Sequence, residues 1–558
     1  SMADKLKNPM FHEDQPGALR GEQIIARCFK TEGVDTFFFM MGGPTSGTAG
    51  ACLDLGMQGI YVRHEQAAAM MAHAYARATG KPGICITPSG PGTANAVTGL
   101  ANAWADAAPI IAIGGSAPMR ATTLDAFQEM DQVAMMKPVV KAAYRIDVAS
   151  RIPEYISVAF REAMDGKKGP IYLDLPGDIL ATKVAEETLY WPTNYRVESR
   201  PAGDPALIRR AIELLGQAQR PLIVTGSGVL WSGANEELRR FIDTTGLPFY
   251  TTPQGRGAVP EDHPRAFPAA RSTAFREADV VLVIGARANS MLSFLRAPRF
   301  APDAKFIIVN LDGREIGHNR GVELGIIGDA KLVLQQLTAE AAGKFNPKQE
   351  TTWVAQLTAK QRSNEERSAP LLHSDQVPIH PLRLCREVRE IISRDTIVIV
   401  DGHETLNFAR QSIPIYEPGT SINAGPHGCM GVGVPFGIGA KAACPDKPVL
   451  VLSGDGAFGW NGMEMDTAIR HNLAIVVVVC NNAGFTSRKT GGTVGRDLGY
   501  QRYDKMVEAF GGYGEFVENP KDIRAAIERA FASGKPALVN VCTDPDAAST
   551  TDMGFAGY

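Results

Sequence analysis

The stretch KPVLVLSGDGAFGW, residues 447–460, runs an uncharged apolar strand directly into an aspartate held between two glycines. A continuous apolar run bounded by glycine reads as a strand of a parallel sheet buried on both faces. Ligands of such sheets sit beyond the carboxyl ends of the strands, which is where Asp455 falls. Gly454 and Gly456 let the backbone come close to a phosphate, and a helix expected to begin near Asn461 turns its amides toward the same place. Gly-Asp-Gly is also a common turn, so this stretch alone leaves a structural turn open.

Further along, the apolar strand LAIVVVVC ends in Asn481 and Asn482. One helix and one strand fit between Asp455 and Asn482 and return the chain to the same sheet edge, with an amide oxygen beside the carboxylate. Mg2+ takes oxygen ligands and shares them with phosphates. Asp455, Asn482 and a carbonyl at Gly484 are the expected protein half of a Mg2+ site, and a diphosphate is the other half.

Outward from this strand, short apolar runs alternate with amphipathic stretches of helical length. DTFFFMM, GIYV, GICITP, PIIAIGG and PIYLDLP form one set, expected to build a unit over 1–190. RPLIVTGSG, GLPFYTTP, ADVVLVIGAR and KFIIVNLD form a second over 200–345. DTIVIVD, KPVLVLSGD, LAIVVVVCNN and KPALVNV form a third over 375–545, with 546–558 as a tail or lid. Strands separated by helices imply an α/β fold of three doubly wound parallel-sheet domains. A chain of 558 residues is too long for one core and suits three.

Hydrophobic residues make up 44% and charged residues 21%, with a net charge of −3, so no basic excess points to nucleic acid. No apolar run is long enough to point to a membrane. The eight cysteines stand singly, several inside apolar runs, and read as reduced core thiols; the cytoplasm is the expected compartment.

Gly-Asp-Gly followed at this distance by Asn-Asn resembles the thiamine diphosphate signature of the decarboxylase and acetohydroxyacid synthase superfamily. The resemblance covers nearly the whole chain, in the order pyrimidine domain, middle domain, diphosphate domain. It implies thiamine diphosphate and Mg2+ as cofactors, with Gly454, Asp455, Gly456, Ala457 and Asn482 around the diphosphate and His403 near it. In YVRHEQAAAMMAHAYAR, Glu65 matches the glutamate that hydrogen-bonds the aminopyrimidine ring and promotes the imino tautomer. An ordinary first-turn acid is the alternative there. TPSGPGTANAV looks like the family's glycine-rich loop, which brings Pro88 and Asn95 to the cofactor. GPHGCMGVGVPFGIGA resembles the segment whose bulky residue bends the cofactor; Met430 is that wedge or plain core. The family builds its site across two subunits, so a homodimer is the expected minimum and a tetramer the expected assembly.

FQEMDQVAMMKPVVKAAYRI looks closest to the branch of oxalyl-CoA decarboxylase and 2-hydroxyacyl-CoA lyase, both acting on acyl-CoA thioesters. The decarboxylases carry Tyr-Glu just before EMDQ, whereas this chain has Phe127 and Gln128, as the lyases do. An amide near the cofactor can donate to a substrate hydroxyl or thioester oxygen without placing negative charge beside a developing alkoxide. The resemblance therefore implies cleavage of a 2-hydroxyacyl-CoA, such as 2-hydroxyisobutyryl-CoA, to formyl-CoA and a ketone or aldehyde, reversible as an acyloin condensation. Oxalyl-CoA decarboxylation and acetohydroxyacid synthase-like carboligation are the alternatives.

Arg410, in DGHETLNFARQ, matches an arginine that contacts the CoA nucleotide in oxalyl-CoA decarboxylase, and its guanidinium suits phosphate. A solvated helix cap is the alternative. In FTSRKTGGTVGRDLGY, Arg488 and Lys489 are expected to reach phosphate; in MGGPTSGTAGAC, the small residues Thr45 and Gly47 are expected to leave space for a branched acyl chain. His403, Glu404 and His427 are the candidates for a base toward the 2-hydroxyl, none of them singled out. In the middle unit Gly226, Gly228, Arg287 and Asp312 fit either a nucleotide groove for ADP or FAD, or structural turns.

Overall fold

The computed structural model describes residues 14–549. The tail or lid expected at 546–558 is therefore described only as far as Ser549. Two compact units are present, one carrying the chain up to Val197 with 427–429 and 438–443, the other carrying the remainder.

The first unit holds β1 (Ala18–Arg20), β2 (Thr36–Phe39), β3 (Gln58–Tyr61), β4 (Gly83–Thr87), β5 (Ile110–Ser116), β6 (Ala142–Arg145), β7 (Ile171–Pro176) and β8 (Lys183–Ala185). Six of these form a parallel sheet in the order β3-β2-β4-β5-β7-β6, while β1 and β8 pair antiparallel. The second unit holds a parallel sheet of β9 (Pro221–Thr225), β10 (Phe249–Thr251), β11 (Val280–Ile284), β12 (Lys305–Asn310) and β13 (Leu324–Ile327), ordered β10-β9-β11-β12-β13. It also holds β14 (Ile397–Asp401), β15 (Ser421–Ile422), β16 (Val449–Gly454), β17 (Val476–Asn481), β18 (Tyr513–Val517) and β19 (Ala537–Cys542), ordered β15-β14-β16-β17-β19-β18.

The central strands are apolar along their whole length because helices cover both faces; every residue of β11 and β17 is buried. In each sheet the strand order reverses between the first and third strands, and the crevice at that reversal is where open α/β sheets bind ligands. The β2/β4 reversal receives the Gly42–Thr45 and Pro88–Gly92 segments of the first unit. The β14/β16 reversal receives Gly402, His403 and the Gly-Asp-Gly turn.

Two expectations are corrected. The helix after β16 begins at Asp455 and ends at Asn461, so the aspartate itself is the first helical residue. The sheets also carry further strands at their edges: β6, β13, β15 and β18, none of which has a long uninterrupted apolar run. The eight cysteines are free thiols, six of them buried. Among the described residues no helix is long and apolar enough to cross a membrane.

Candidate functional site

In the second unit, β16 and β17 lie side by side with Gly454 opposite Cys480, which brings the Gly-Asp-Gly turn to the loop that follows Asn481. Gly456 makes the approach close: a Cβ there would come within 2.5 Å of the Phe485 ring. Asp455 is 1% exposed, and neither carboxylate oxygen has a hydrogen-bond partner among the described residues. Burial pushes its carboxyl up to about 7, against a smaller downward pull from main-chain amides that lie near it without a hydrogen bond: its own first, then those of Gly456, Gly484 and Asn482. An orphaned, buried carboxylate is costly, and a cation removes the cost.

The two asparagines after β17 divide their work. Asn481 is fully buried and structural, its Nδ2 donating to Gln501 O (3.2 Å) and Asn540 Oδ1 (3.0 Å) and its Oδ1 accepting from the Ala483 amide (3.1 Å). Asn482 donates Nδ2 to Thr486 O (2.8 Å), which leaves its Oδ1 as a ligand atom. Among the described residues no cluster of three or more His, Cys, Asp or Glu side chains could hold a metal. A cation here would rest on one carboxylate with neutral amide and carbonyl oxygens, the sparse protein share that Mg2+ takes when phosphates complete its shell. The residues present thus fit the expected site.

Met430 stands just before a braced turn. Asp401, at the end of β14, accepts from the Gly433 amide (2.8 Å), and Asn461 donates to Gly431 O (2.7 Å). Burial pushes the Asp401 carboxyl up to about 6, partly offset by the amides of Gly433, Gly431 and Gly402. Ala457 is buried in the first turn after β16, and His403 opens the helix after β14, on the exposed side. Glu404, beside it, is occupied: Oε2 accepts from the Ser549 amide (2.9 Å) and hydroxyl (2.6 Å), and Oε1 from Thr490 Oγ1 (3.1 Å).

In the first unit, Glu65 is the first residue of the helix Glu65–Thr79, which stops at Gly80 in the left-handed region. Glu65 is 8% exposed, and Asn95 Nδ2 donates to its Oε2 (2.9 Å). A Cβ on Gly92 would collide with the Pro88 ring and come within 3.1 Å of Glu65 Oε1. Glu65, Pro88 and Asn95 thus converge, as expected of them. Gln128 joins the neighbouring loop: Ser89 Oγ donates to its Oε1 (2.7 Å), leaving Nε2 as the amide's donor. Phe127 makes no such junction and is 87% exposed.

Gln132 was not marked by the sequence and organises this corner. It is fully buried; its Oε1 takes the Gly90 amide (2.7 Å), and its Nε2 reaches Gly115 O (2.8 Å), Tyr172 OH (2.8 Å) and Asp174 Oδ1 (3.0 Å). The glycine-rich loop is thereby tied to β5 and β7.

Three expected substrate residues are placed differently. Thr45 is 1% exposed and donates to Thr87 O (3.0 Å), while a Cβ on Gly47 would collide with the Glu22 carboxylate. Both are used in packing rather than left as open space. Arg488 pairs with Asp546 (3.1 Å) at a half-exposed position instead of standing ready for phosphate.

Arg410 lines a groove of about 780 Å³ together with Arg271, Arg276, Lys360, Arg367 and Arg389. Of its three acidic members, Glu261 and Asp262 are paired with Arg256 and Arg394, and Glu365 accepts a hydrogen bond from Gln361. Arg271 Nε is buried without a hydrogen-bond partner among the described residues, and its guanidinium lies over the Phe275 ring at 4.9 Å. Burial, and then the charge of Arg410, push Arg271 well below the ordinary arginine range. Two arginines that repel one another beside a groove form a site for an anion. Arg271 carries no signal in the sequence because its neighbour Arg410 is distant in the chain.

The chain matches three family descriptions: "Thiamine pyrophosphate enzyme, N-terminal TPP binding domain" over residues 19–135, "Thiamine pyrophosphate enzyme, central domain" over 208–337, and "Thiamine pyrophosphate enzyme, C-terminal TPP binding domain" over 402–541. It is 35% identical to 2-hydroxyacyl-CoA lyase of Arabidopsis thaliana, with 98% of each chain covered. It is 34% identical to the acetolactate synthase large subunit IlvG of Mycobacterium tuberculosis, covering 94% of this chain and 96% of that one. Oxalyl-CoA decarboxylase of Escherichia coli is likewise 34% identical, with 97% of each chain covered.

Proposed function

The chain belongs to the thiamine pyrophosphate (thiamine diphosphate) enzyme family, and from that premise we propose that it is a 2-hydroxyacyl-CoA lyase. It cleaves a 2-hydroxyacyl-CoA such as 2-hydroxyisobutyryl-CoA to formyl-CoA and a ketone or aldehyde, and runs the reverse acyloin condensation. The observation that carries an acyl-CoA substrate is the Arg271–Arg410 groove, which calls for a phosphate-bearing ligand. Acetolactate-type carboligation, the activity named for the mycobacterial relative, gives that groove no occupant.

Thiamine diphosphate, when bound, supplies a nucleophilic carbon and a sink for the electrons of the broken carbon-carbon bond. Asp455, Asn482 Oδ1 and the Gly484 carbonyl would hold Mg2+ beside the diphosphate. Glu65, steadied by Asn95, holds the aminopyrimidine and governs its protonation. Met430 would pack against the cofactor, and Gln128 Nε2 would donate to the substrate oxygen. Arg410 and Arg271 hold the CoA phosphates. Glu404 is left out as a base because both its oxygens already accept hydrogen bonds.

The working unit in this reading is a homodimer or tetramer; the exposed apolar side chains of Leu124 and Phe127 support a covered face there. The cysteine pattern supports the cytoplasm. ADP is not part of the proposal. Gly226, Gly228 and Gly285 pack backbone against backbone, and Asp312 pairs with Arg314, so the glycines are accounted for as turns.

Incubation with thiamine diphosphate and Mg2+, offering 2-hydroxyisobutyryl-CoA and oxalyl-CoA separately, tests this by mass spectrometry. Formyl-CoA with acetone from the first is the expected result. Formyl-CoA from oxalyl-CoA alone would make the chain a decarboxylase, and pyruvate consumption without CoA would make it a carboligase.

A further inference from the structure

The loop after β17 carries two non-glycine residues in the left-handed region, Ala483 (φ 59) and Thr486 (φ 52). Such conformations persist only where the surroundings over-determine them. Arg496 does so here. Its side chain is 3% exposed; Nη2 donates to the carbonyls of Asn482 (2.9 Å) and Thr486 (3.1 Å), and Nη1 to Asp497 Oδ1 (2.8 Å). Its own carbonyl accepts from the Phe485 amide (3.0 Å). A Cβ on Gly484 would come within 2.7 Å of Nη1, so glycine is required for the arginine to pass. The Ala483 carbonyl is taken by the amides of Leu498 (2.9 Å) and Gly499 (3.2 Å).

These bonds engage the main-chain carbonyls of residues 482, 483 and 486. They leave Asn482 Oδ1 and the Gly484 carbonyl, the two neutral oxygens assigned to the cation. The Arg496 charge is balanced by Asp497, so it acts through its fork of donors rather than as a second cation beside the metal.

We propose that Arg496 is a positioning residue for the cation site, shaping the 482–486 loop so that these two oxygens meet the octahedral demand of Mg2+. The proposal rests on the reading of Asp455 as the cation's carboxylate. Because Mg2+ requires near-ideal geometry and Ca2+ accepts irregular shells, loss of the brace should harm Mg2+ more than Ca2+.

Calorimetric titration of thiamine diphosphate at varied Mg2+ or Ca2+ reads this without turnover. Arg496→Met is expected to raise the half-saturating Mg2+ concentration by about 10–100-fold, as loss of a ligand-orienting partner does, with a change several-fold smaller for Ca2+. Arg496→Lys, which keeps the charge but not the fork, should show the same Mg2+-selective loss in milder form. It carries the comparison if the methionine variant does not fold. Wild-type Mg2+ dependence in both variants, or equal losses for the two cations, would overturn the proposal as a plain loop-stability effect. Asp455→Asn is run alongside: if it keeps full Mg2+ dependence, the cation reading fails first, and the role of Arg496 with it.

Discussion

β4 and β16 are the third strands of two sheets with the same strand order, and each runs into a Gly-X-Gly turn. After β4 the turn is Gly90-Pro91-Gly92, after β16 it is Gly454-Asp455-Gly456, and the middle residue opens a helix in both. The first helical position needs no amide, so proline fits there without loss. In the first unit the turn serves other groups: Gly90 makes room for Gln128, and Gly92 for Pro88 and Glu65. The carboxylate comes from the preceding helix, Glu65–Thr79, and is met by Asn95. In the second unit the turn carries the carboxylate itself, buried and without a hydrogen-bond partner among the described residues. In the proposed reading, one topology serves a proton-governing acid in one place and a cation anchor in the other, and the partner each carboxylate finds decides which.

The largest expected effect breaks this contrast on the Glu65 side. Glu65→Gln keeps the shape and the contact with Asn95 but removes the acid, and formyl-CoA release should fall by about 10²–10⁴-fold with the unfolding midpoint unchanged. Retention of turnover would remove Glu65 from the chemistry.

The two turns should also differ in what their glycines do. Gly90 has φ +60 and would set a Cβ 2.7 Å from that of Gln128, so Gly90→Ala should destabilise by about 1–3 kcal/mol in denaturant titration. Gly454 has φ −64, and its nearest obstacle is Thr405 Oγ1 at 3.3 Å, so Gly454→Ala should cost under about 1 kcal/mol while weakening cofactor binding. Equal losses of stability would erase the distinction between a packed turn and an open one.

A smaller effect follows from pH. The Asp455 carboxyl is raised from 3.8 to about 7 by burial, so the metal-free fold has this group's full contribution below about pH 4 and loses it as pH rises through 7. Cation-dependent cofactor binding should run the other way, weakening by up to about tenfold per unit below pH 7 as protons compete with the metal. Thermal unfolding without metal and calorimetry with it, both across pH 5–8, check the two slopes.

Asp455 and Asn482 were legible in the sequence because each sits at the mouth of a strand whose apolar run announces it, whereas Glu65 and Asn95 were reached through the resemblance of their segments to those of the family. Four of the six edge strands of the parallel sheets, β6, β13, β15 and β18, were not legible. β6, β18 and β13 are only partly buried, so their residues lack the continuous apolar signal of β11 or β17. Gln132, Arg271 and Arg496 were missed for a different reason. Each acts by meeting groups from distant segments, and a lone glutamine or arginine carries no mark of the carbonyl, ring or second arginine it will face. The packing of Thr45 and Gly47 was hidden likewise, since small residues suit an open pocket and a tight contact equally.

The most direct test of the division of labour is calorimetric titration of thiamine diphosphate into Asp455→Asn and Glu65→Gln at one fixed Mg2+ concentration. Glu65→Gln is expected to bind within a few-fold of wild type, and Asp455→Asn to lose Mg2+-dependent binding. Equal affinities in the two variants, or loss in Glu65→Gln alone, would contradict the assignment of the cation to Asp455.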